Sequence, residues 1–326
     1  MTSSQHTSRT ALVGIAMYLA AAFLFALNGT LAKAALNAGL DPGHLTQVRN
    51  AGAALVLIIY VAIFRPAGFR VARNEWWFLI VYGVVAFTCV QFLYFLTISR
   101  LPVGIGTLLA FVAPVVVALY LKFFRGTEVG ARIWTGIALT IAGLALVAQV
   151  WHGLTLDPLG VLAGFGLAIA LATYWILGER GQQKRDAVSL TMWGFIFASI
   201  AWAVVLPWWG FPREVMFVYP DELSGGLPSV PIWMLMTWGI VMGTVVPFLL
   251  VLGSLRRIGA QRAGIVGTTE PLWAGLIALV VIGETFTTVQ GVGALVVLAG
   301  VIVAETSRRN VDPDAVDLSP SRVDLP

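Results

Sequence analysis

Charge is what this chain has least of. Only 11% of its 326 residues are Asp, Glu, Lys or Arg, where a soluble domain carries about 25%. With 59% hydrophobic residues, there is too little polar side chain to face water, so lipid is the solvent over most of the length. Cysteine is nearly absent. Cys89 stands alone inside an apolar run, so it forms no intramolecular disulfide and says little about redox compartment. Histidine is scarce as well: His6, His44 and His152 fall near membrane edges or in connections. Neither H-E-x-x-H nor G-x-S-x-G occurs, which argues against a membrane enzyme and against a metal site. No G-x-x-x-x-G-K-[ST] is present, which excludes ATP hydrolysis by a P-loop. Rings of charge and carbonyl-rich filters, the marks of a channel, are missing. No cofactor is expected.

What is there is length and hydrophobicity. Ten apolar segments run at about 11–33, 45–64, 75–97, 103–124, 131–150, 158–178, 188–206, 232–255, 260–282 and 286–305. About 20 residues at about 1.5 Å rise cross a hydrocarbon core of about 30 Å, so each segment predicts a membrane helix. The first run is longer than a signal-peptide core and reads as an uncleaved span. Most connections are too short for a soluble domain. Residues 207–231 are the exception, and their Trp, Phe and Tyr suit an interfacial belt. Residues 306–326 are polar and Asp/Pro-rich, a composition that predicts disorder. A net charge of +4 and a pI near 9.5 do not point to nucleic acid, because the cations fall in short loops. With residues 1–10 placed in the cytoplasm, sixteen of the 20 Lys and Arg fall in inner segments and three in outer ones. That bias predicts a multi-pass protein of the cytoplasmic membrane with both termini inside.

The most telling run is Gly264 to Glu284, G-I-V-G-T-T-E-P-L-W-A-G-L-I-A-L-V-V-I-G-E. Glu270 sits well inside it, followed by Pro271. A carboxylate at that depth is costly unless it faces a polar cavity, is paired, or is protonated. Proline also frees a backbone carbonyl one turn earlier. The acid is therefore a functional candidate, against the plainer alternative of a protonated Glu bonded to freed carbonyls as a packing device. A shift of 157 residues lays 92–148 on 249–305 without a gap. Arg100 falls on Arg257, Pro114 on Pro271, Gly136 on Gly293 and Gly143 on Gly300. Five spans per half make the second half enter the membrane the opposite way round. The predicted fold is thus all-α and integral to the membrane: ten transmembrane helices as two inverted five-helix repeats, 11–150 and 158–305.

In these features the chain resembles the drug/metabolite transporter superfamily, in its EamA-like branch, over about 11–305. The first span ends F-A-L-N-G-T-L-A-K, similar to the family's W-G-x-N-x-x-x-x-K, with Asn28 and Lys33 matching and Phe25 and Ala26 departing. Q-V-R-N places Arg49 where the family usually has an Arg. The fourth span carries L-L-A-F-V-A-P-V-V-V-A-L, and E-P…G-E in the ninth is close to the family's signature. In the first half, Ala113 precedes Pro114 where many relatives have Glu, and the helix-end acid shifts to Glu128, so Glu270 alone is left as the mid-membrane acid. The resemblance implies a carrier of small polar metabolites, often outward, working by alternating access. It implies a central cavity lined by the first, third, fourth, sixth, eighth and ninth spans. The partners are then a small-molecule substrate and membrane lipid, not nucleic acid, and the unit is a monomer or homodimer. A non-transporting membrane scaffold or sensor is the alternative.

Polar and aromatic residues of those spans are the substrate-binding candidates: Asn28, Gln91, Tyr94, Thr107, Trp175, Thr244, Glu270 and Trp273. Gln91 and Tyr94 share a helix face at i, i+3. Amides and hydroxyls suit a zwitterion or hydroxylated metabolite, and aromatic faces suit a cation or a ring. The plainer reading of the Asn, Gln and Thr residues is hydrogen-bonded glue between helices. Trp175 also reads as interfacial packing. Glu270 is further expected to couple transport to protons through its charge state. Arg49 either snorkels to the outer surface or binds an anionic group; Lys33 reads likewise. Glu128 and Glu284 read as helix-end anchors. Gly160–Gly164 and Gly239–Gly243 are G-x-x-x-G pairs that let helices approach closely.

Overall fold

The computed structural model describes residues 2–125, 131–149, 156–220 and 229–307, which form helices and no strand. Glu128, His152 and positions 308–326 lie outside the described residues. In chain order the helices are α1 Thr2–Asn37, α2 Pro42–Phe64, α3 Trp76–Val81, α4 Cys89–Arg100, α5 Val103–Ala110, α6 Ala113–Arg125 and α7 Ala131–Ala148. The second half contributes α8 Pro158–Gln182, α9 Ala187–Val205, α10 Ile232–Ile240, α11 Val246–Gly267, α12 Glu270–Ile282 and α13 Thr288–Ser307. Two π turns, Tyr82–Thr88 and Val241–Val245, join α3 to α4 and α10 to α11.

Local chemistry sets the starts. Asp41 accepts from the backbone N–H of Gly43 (2.8 Å) and His44 (3.1 Å) with Pro42 in the first turn. Asp157 does the same for Gly160 (2.7 Å) beside Pro158, and Asp186 for Ser189 (3.1 Å). These are N-caps satisfying donors that the first turn leaves unpaired. Gly283 ends α12 at φ +70°, a left-handed cap that favours glycine.

Seven helices among the described residues are long and apolar enough to cross a membrane. Three more, Ala131–Val147, Glu270–Ile282 and Thr288–Ala304, are apolar but shorter. The ninth expected segment is the clearest difference. Its first part is continuous with α11, which runs through the expected inner loop at 256–259, and the break comes at Thr268–Thr269. In the first half Leu101–Pro102 interrupts the chain after α4. The matching Ile258–Gly259 has no proline, so nothing removes a backbone donor there. At the other end, α1 begins at Thr2, well before the expected span.

Packing leaves much apolar surface facing outward. Leu55, Ile63, Leu162, Val204 and Leu295 are all more than half exposed, as expected of side chains whose solvent is hydrocarbon. Inside, α1 packs on α11 and α12, α2 on α9, α4 on α8, and α5 between α8 and α12. The α7–α13 seam is the tightest. A Cβ on Gly136 would lie 2.6 Å from the Gly300 carbonyl, and one on Gly143 would lie 2.8 Å from the Gly293 carbonyl. The pairing is crossed: Gly136 meets the residue that the 157-residue shift assigns to Gly143, and Gly143 meets the one assigned to Gly136. Under the same shift Val84–Thr88 of the first π turn falls on Val241–Val245, and the Phe111–Val112 break on Thr268–Thr269.

Candidate functional site

Four separate helical segments bring one guanidinium to a buried centre. Arg49 lies two turns into α2 and is 5% exposed. Its Nη1 donates to Asn28 Oδ1 of α1 (2.8 Å), and its Nη2 donates to Thr244 Oγ1 of the second π turn (2.7 Å). Its charge lies over the Phe95 ring of α4, 5.1 Å from the centroid, a cation–π contact that strengthens when water is excluded. Nε has no partner among the described residues. Asn28 reaches this position because Gly239 and Gly243 have no side chain. A Cβ at 239 would be 3.0 Å from Asn28 Oδ1, and one at 243 would be 2.7 Å from Asn28 Cβ. The second G-x-x-x-G pair thus receives a polar side chain, while Gly164 of the first receives Leu109.

Tyr94 adjoins this group. Its hydroxyl rests against Gly29 and within hydrogen-bonding reach of Thr107. Thr107 also donates back to the Val103 carbonyl (2.9 Å). Tyr94 lies within electrostatic reach of Arg49, Glu270 and Glu284. Glu270 is the first residue of α12, half-buried, with Pro271 behind it. Tyr18 of α1 also lies within reach of its charge. Among the described residues, no hydrogen bond or ion pair engages the Glu270 carboxylate. The Val266 carbonyl near the break accepts instead from Thr269 Oγ1 (2.8 Å).

Asn28, Tyr94, Thr107, Thr244 and Glu270 are therefore brought toward one region. Gln91 is half-buried one turn before Tyr94. Trp273 packs edge-on against Phe23 at 5.6 Å and joins the Ala26–Ala274 core, a packing role. Trp175 stands apart. It is 40% exposed and lines an open cleft of about 250 Å³ beside the stacked Tyr82–Tyr174 pair. Arg49 was expected to snorkel or to bind an anion; its burial removes the first option. Its partners, Asn28 and Thr244, stand on two other spans. Tyr18 was not anticipated, and its polar hydroxyl in an otherwise apolar stretch was the only hint.

A second polar group includes Glu284, which Tyr94 also senses electrostatically. Lys33 Nζ donates to the carbonyls of Ile98 (2.5 Å) and Leu101 (3.1 Å), and lies 3.9 Å from Glu284. Glu284 Oε2 accepts from the Val103 N–H (2.7 Å), capping α5. Lys33 and Glu284 thus bind helix termini of the 98–103 connection rather than solvent. Among the described residues no group of three His, Cys, Asp or Glu could hold a metal ion.

Comparison with known proteins agrees with this architecture. The sequence profile of the EamA-like transporter family matches residues 12–149 and 158–306. An uncharacterized inner membrane transporter, YicL of Salmonella typhimurium, is 25% identical over 303 residues, covering 91% of this chain and 96% of the relative. The threonine/homoserine exporter RhtA of Escherichia coli is 25% identical over 255 residues, 77% of each chain. A solved crystal structure aligns with a TM-score of 0.58 at 19% identity, covering 94% of this chain and 99% of that one. A likeness at that identity bears on the fold alone.

Proposed function

From the premise that this chain belongs to the EamA-like transporter family, we propose that it exports a small zwitterionic metabolite of the amino-acid class across the cytoplasmic membrane. The observations that carry this are a buried Arg49 guanidinium and a Glu270 carboxylate that no hydrogen bond or ion pair engages among the described residues, both within electrostatic reach of Tyr94. A buried guanidinium matches a carboxylate with paired N–H donors. A carboxylate with no hydrogen bond or ion pair among the described residues matches an ammonium. Asn28, Thr107 and Thr244 supply hydroxyl and amide groups between them, and Gln91 extends the polar line along α4. A relative named for threonine and homoserine export supports both the substrate class and the direction.

The transport cycle is alternating access by two inverted five-helix repeats, 11–150 and 158–305, with both termini cytoplasmic. Three correspondences support the repeat: the paired π turns, the paired breaks at 111–112 and 268–269, and the crossed glycines of the α7–α13 seam. Crossed pairing is what a two-fold axis lying in the membrane plane requires of two antiparallel helices. In the cycle Glu270 takes a proton when the substrate ammonium leaves it, which couples export to inward proton movement. An acid left charged and alone inside the membrane would be costly. The group acts as a carrier and not as an enzyme.

The test is counterflow in proteoliposomes with a trapped pH dye, using threonine, homoserine, a primary amine and a carboxylic acid. The expected result is saturable flux of the amino acids alone, with a coupled pH change lost in Glu270→Gln. Flux and pH coupling that survive Glu270→Gln unchanged would demote Glu270 to packing. Amine transport equal to amino-acid transport would remove the zwitterion reading.

A further inference from the structure

Away from the site, a cleft of about 810 Å³ opens between the segment joining α2 to α3 and the segment joining α8 to α9. Arg185 lines it, and both of its terminal nitrogens are engaged. Its Nη1 donates to the Gly68 carbonyl (2.9 Å) and to Ser189 Oγ (2.8 Å). Its Nη2 donates to the Arg70 carbonyl and to Glu75 Oε2, both at 2.7 Å. Arg65 pairs with Asp186 at 3.4 Å. The two acids of the cleft are thus matched by two arginines. Arg70 and Lys184 also line it, are exposed, and make no ion pair among the described residues. The cleft therefore carries two surplus positive charges.

Its position says what would meet those charges. Ile63 and Phe64, 65% and 67% exposed, immediately precede Arg65; Trp77, 75% exposed, follows Glu75 by two residues. Apolar side chains this exposed at the ends of spans contact acyl chains, and tryptophan belongs at the headgroup level. Ile63, Phe64 and Trp77 flank the cleft in sequence without lining it; a lipid meets both the two cations and these side chains, whereas a soluble anion meets the cations alone.

We propose that this cleft binds the phosphate headgroup of an anionic glycerophospholipid, with Arg70 and Lys184 as its cationic ligands and the acyl chains lying along Ile63, Phe64 and Trp77. Basic pockets between helix ends hold such headgroups by charge and confer preference over zwitterionic lipid. The lipid bridges segments from both halves of the chain, as Arg185 already does.

The test is native mass spectrometry of the full-length protein in detergent, titrated with phosphatidylglycerol, phosphatidylcholine or inorganic phosphate. The expected result is retained phosphatidylglycerol without matching retention of phosphatidylcholine. The Arg70→Gln/Lys184→Gln double variant should weaken it by about 25-fold, at about fivefold per cation. The Arg132→Gln/Arg213→Gln variant, which removes two exposed cations elsewhere, should bind as wild type, and Arg70→Lys should retain binding. Equal retention of phosphatidylcholine, or an unweakened double variant, would overturn the proposal. Displacement of phosphatidylglycerol by equimolar inorganic phosphate would replace the lipid with a soluble anion and overturn it as well.

Discussion

Replacing Gly243 with alanine tests whether Asn28 and Arg49 work as one unit. The added Cβ would lie 2.7 Å from Asn28 Cβ, and closer still to its amide. Non-bonded carbons prefer about 3.5–4.0 Å, so Asn28 must retreat by about 1 Å. It cannot do so and keep its 2.8 Å bond to Arg49, because a further 1 Å passes the hydrogen-bonding range. Overpacking of this kind costs about 1–3 kcal/mol. If that cost falls on the transporting conformation, counterflow of threonine should drop by about fivefold to about 150-fold, at about 1.4 kcal/mol per factor of ten. Thermal melting in detergent should fall as well. Gly239→Ala is the internal standard. Its Cβ would sit 3.0 Å from Asn28 Oδ1 and 4.0 Å from Arg49 Nη1, which a few tenths of an ångström of movement relieves, so its loss should stay within about threefold. Equal losses in the two variants, or a Gly243→Ala protein indistinguishable from wild type, would refute the reasoning.

Three further outcomes follow from the same geometry. Glu284→Ala removes the cap on the Val103 N–H and should cost about 1–2 kcal/mol of stability; because Lys33 belongs to the same network, Lys33→Met and the double variant should be less than additive in melting experiments. The Arg185 hydrogen bond holds the Glu75 carboxyl below the usual range. Its stabilisation is therefore complete above the unfolded value of about 4.3 and is lost as pH falls through the lower folded value, and Glu75→Gln should flatten melting temperature across that acid window. On the α7–α13 seam, Gly136→Ala meets the Gly300 carbonyl at 2.6 Å and the Ala304 N–H nitrogen at 2.8 Å, so it should lower the melting temperature by the equivalent of about 1–3 kcal/mol. Gly291→Ala meets nothing within 4 Å and should be neutral or stabilising by up to about 1 kcal/mol.

The membrane class and most of the helices were legible because they depend on composition and run length, which are local properties. The break before Glu270 was legible for the same reason, since proline acts on its own turn. Arg49 was not. Its place near the start of an apolar run argued for a shallow position, whereas its depth is decided by Asn28 and Thr244 on other helices. The boundary between the eighth and ninth segments was misplaced where local chemistry was ambiguous. Arg256–Arg257–Ile258–Gly259 reads as a loop by charge, yet lacks the proline that interrupts its counterpart, and α11 continues through it. The glycines were visible as a spacing, but only the fold distinguishes one that receives Asn28 from one that receives Leu109.

The two π turns make the third and eighth spans dislocated helices. Such a turn holds one residue more than the α turn it replaces, and each residue advances a helix by about 100°. Residues before and after the turn are therefore out of phase. In the third span, Phe78 packs toward α9 in one phase, while Tyr94 addresses Arg49 and Glu270 in the other. Deleting a single residue between 82 and 88, or between 241 and 245, would heal the dislocation and swing one end of the helix by about 100° against the other. Tyr94 or Thr244 would then face away from the centre, even though every remaining residue was unchanged. Length in these two short stretches is consequently as much a part of the site as any side chain.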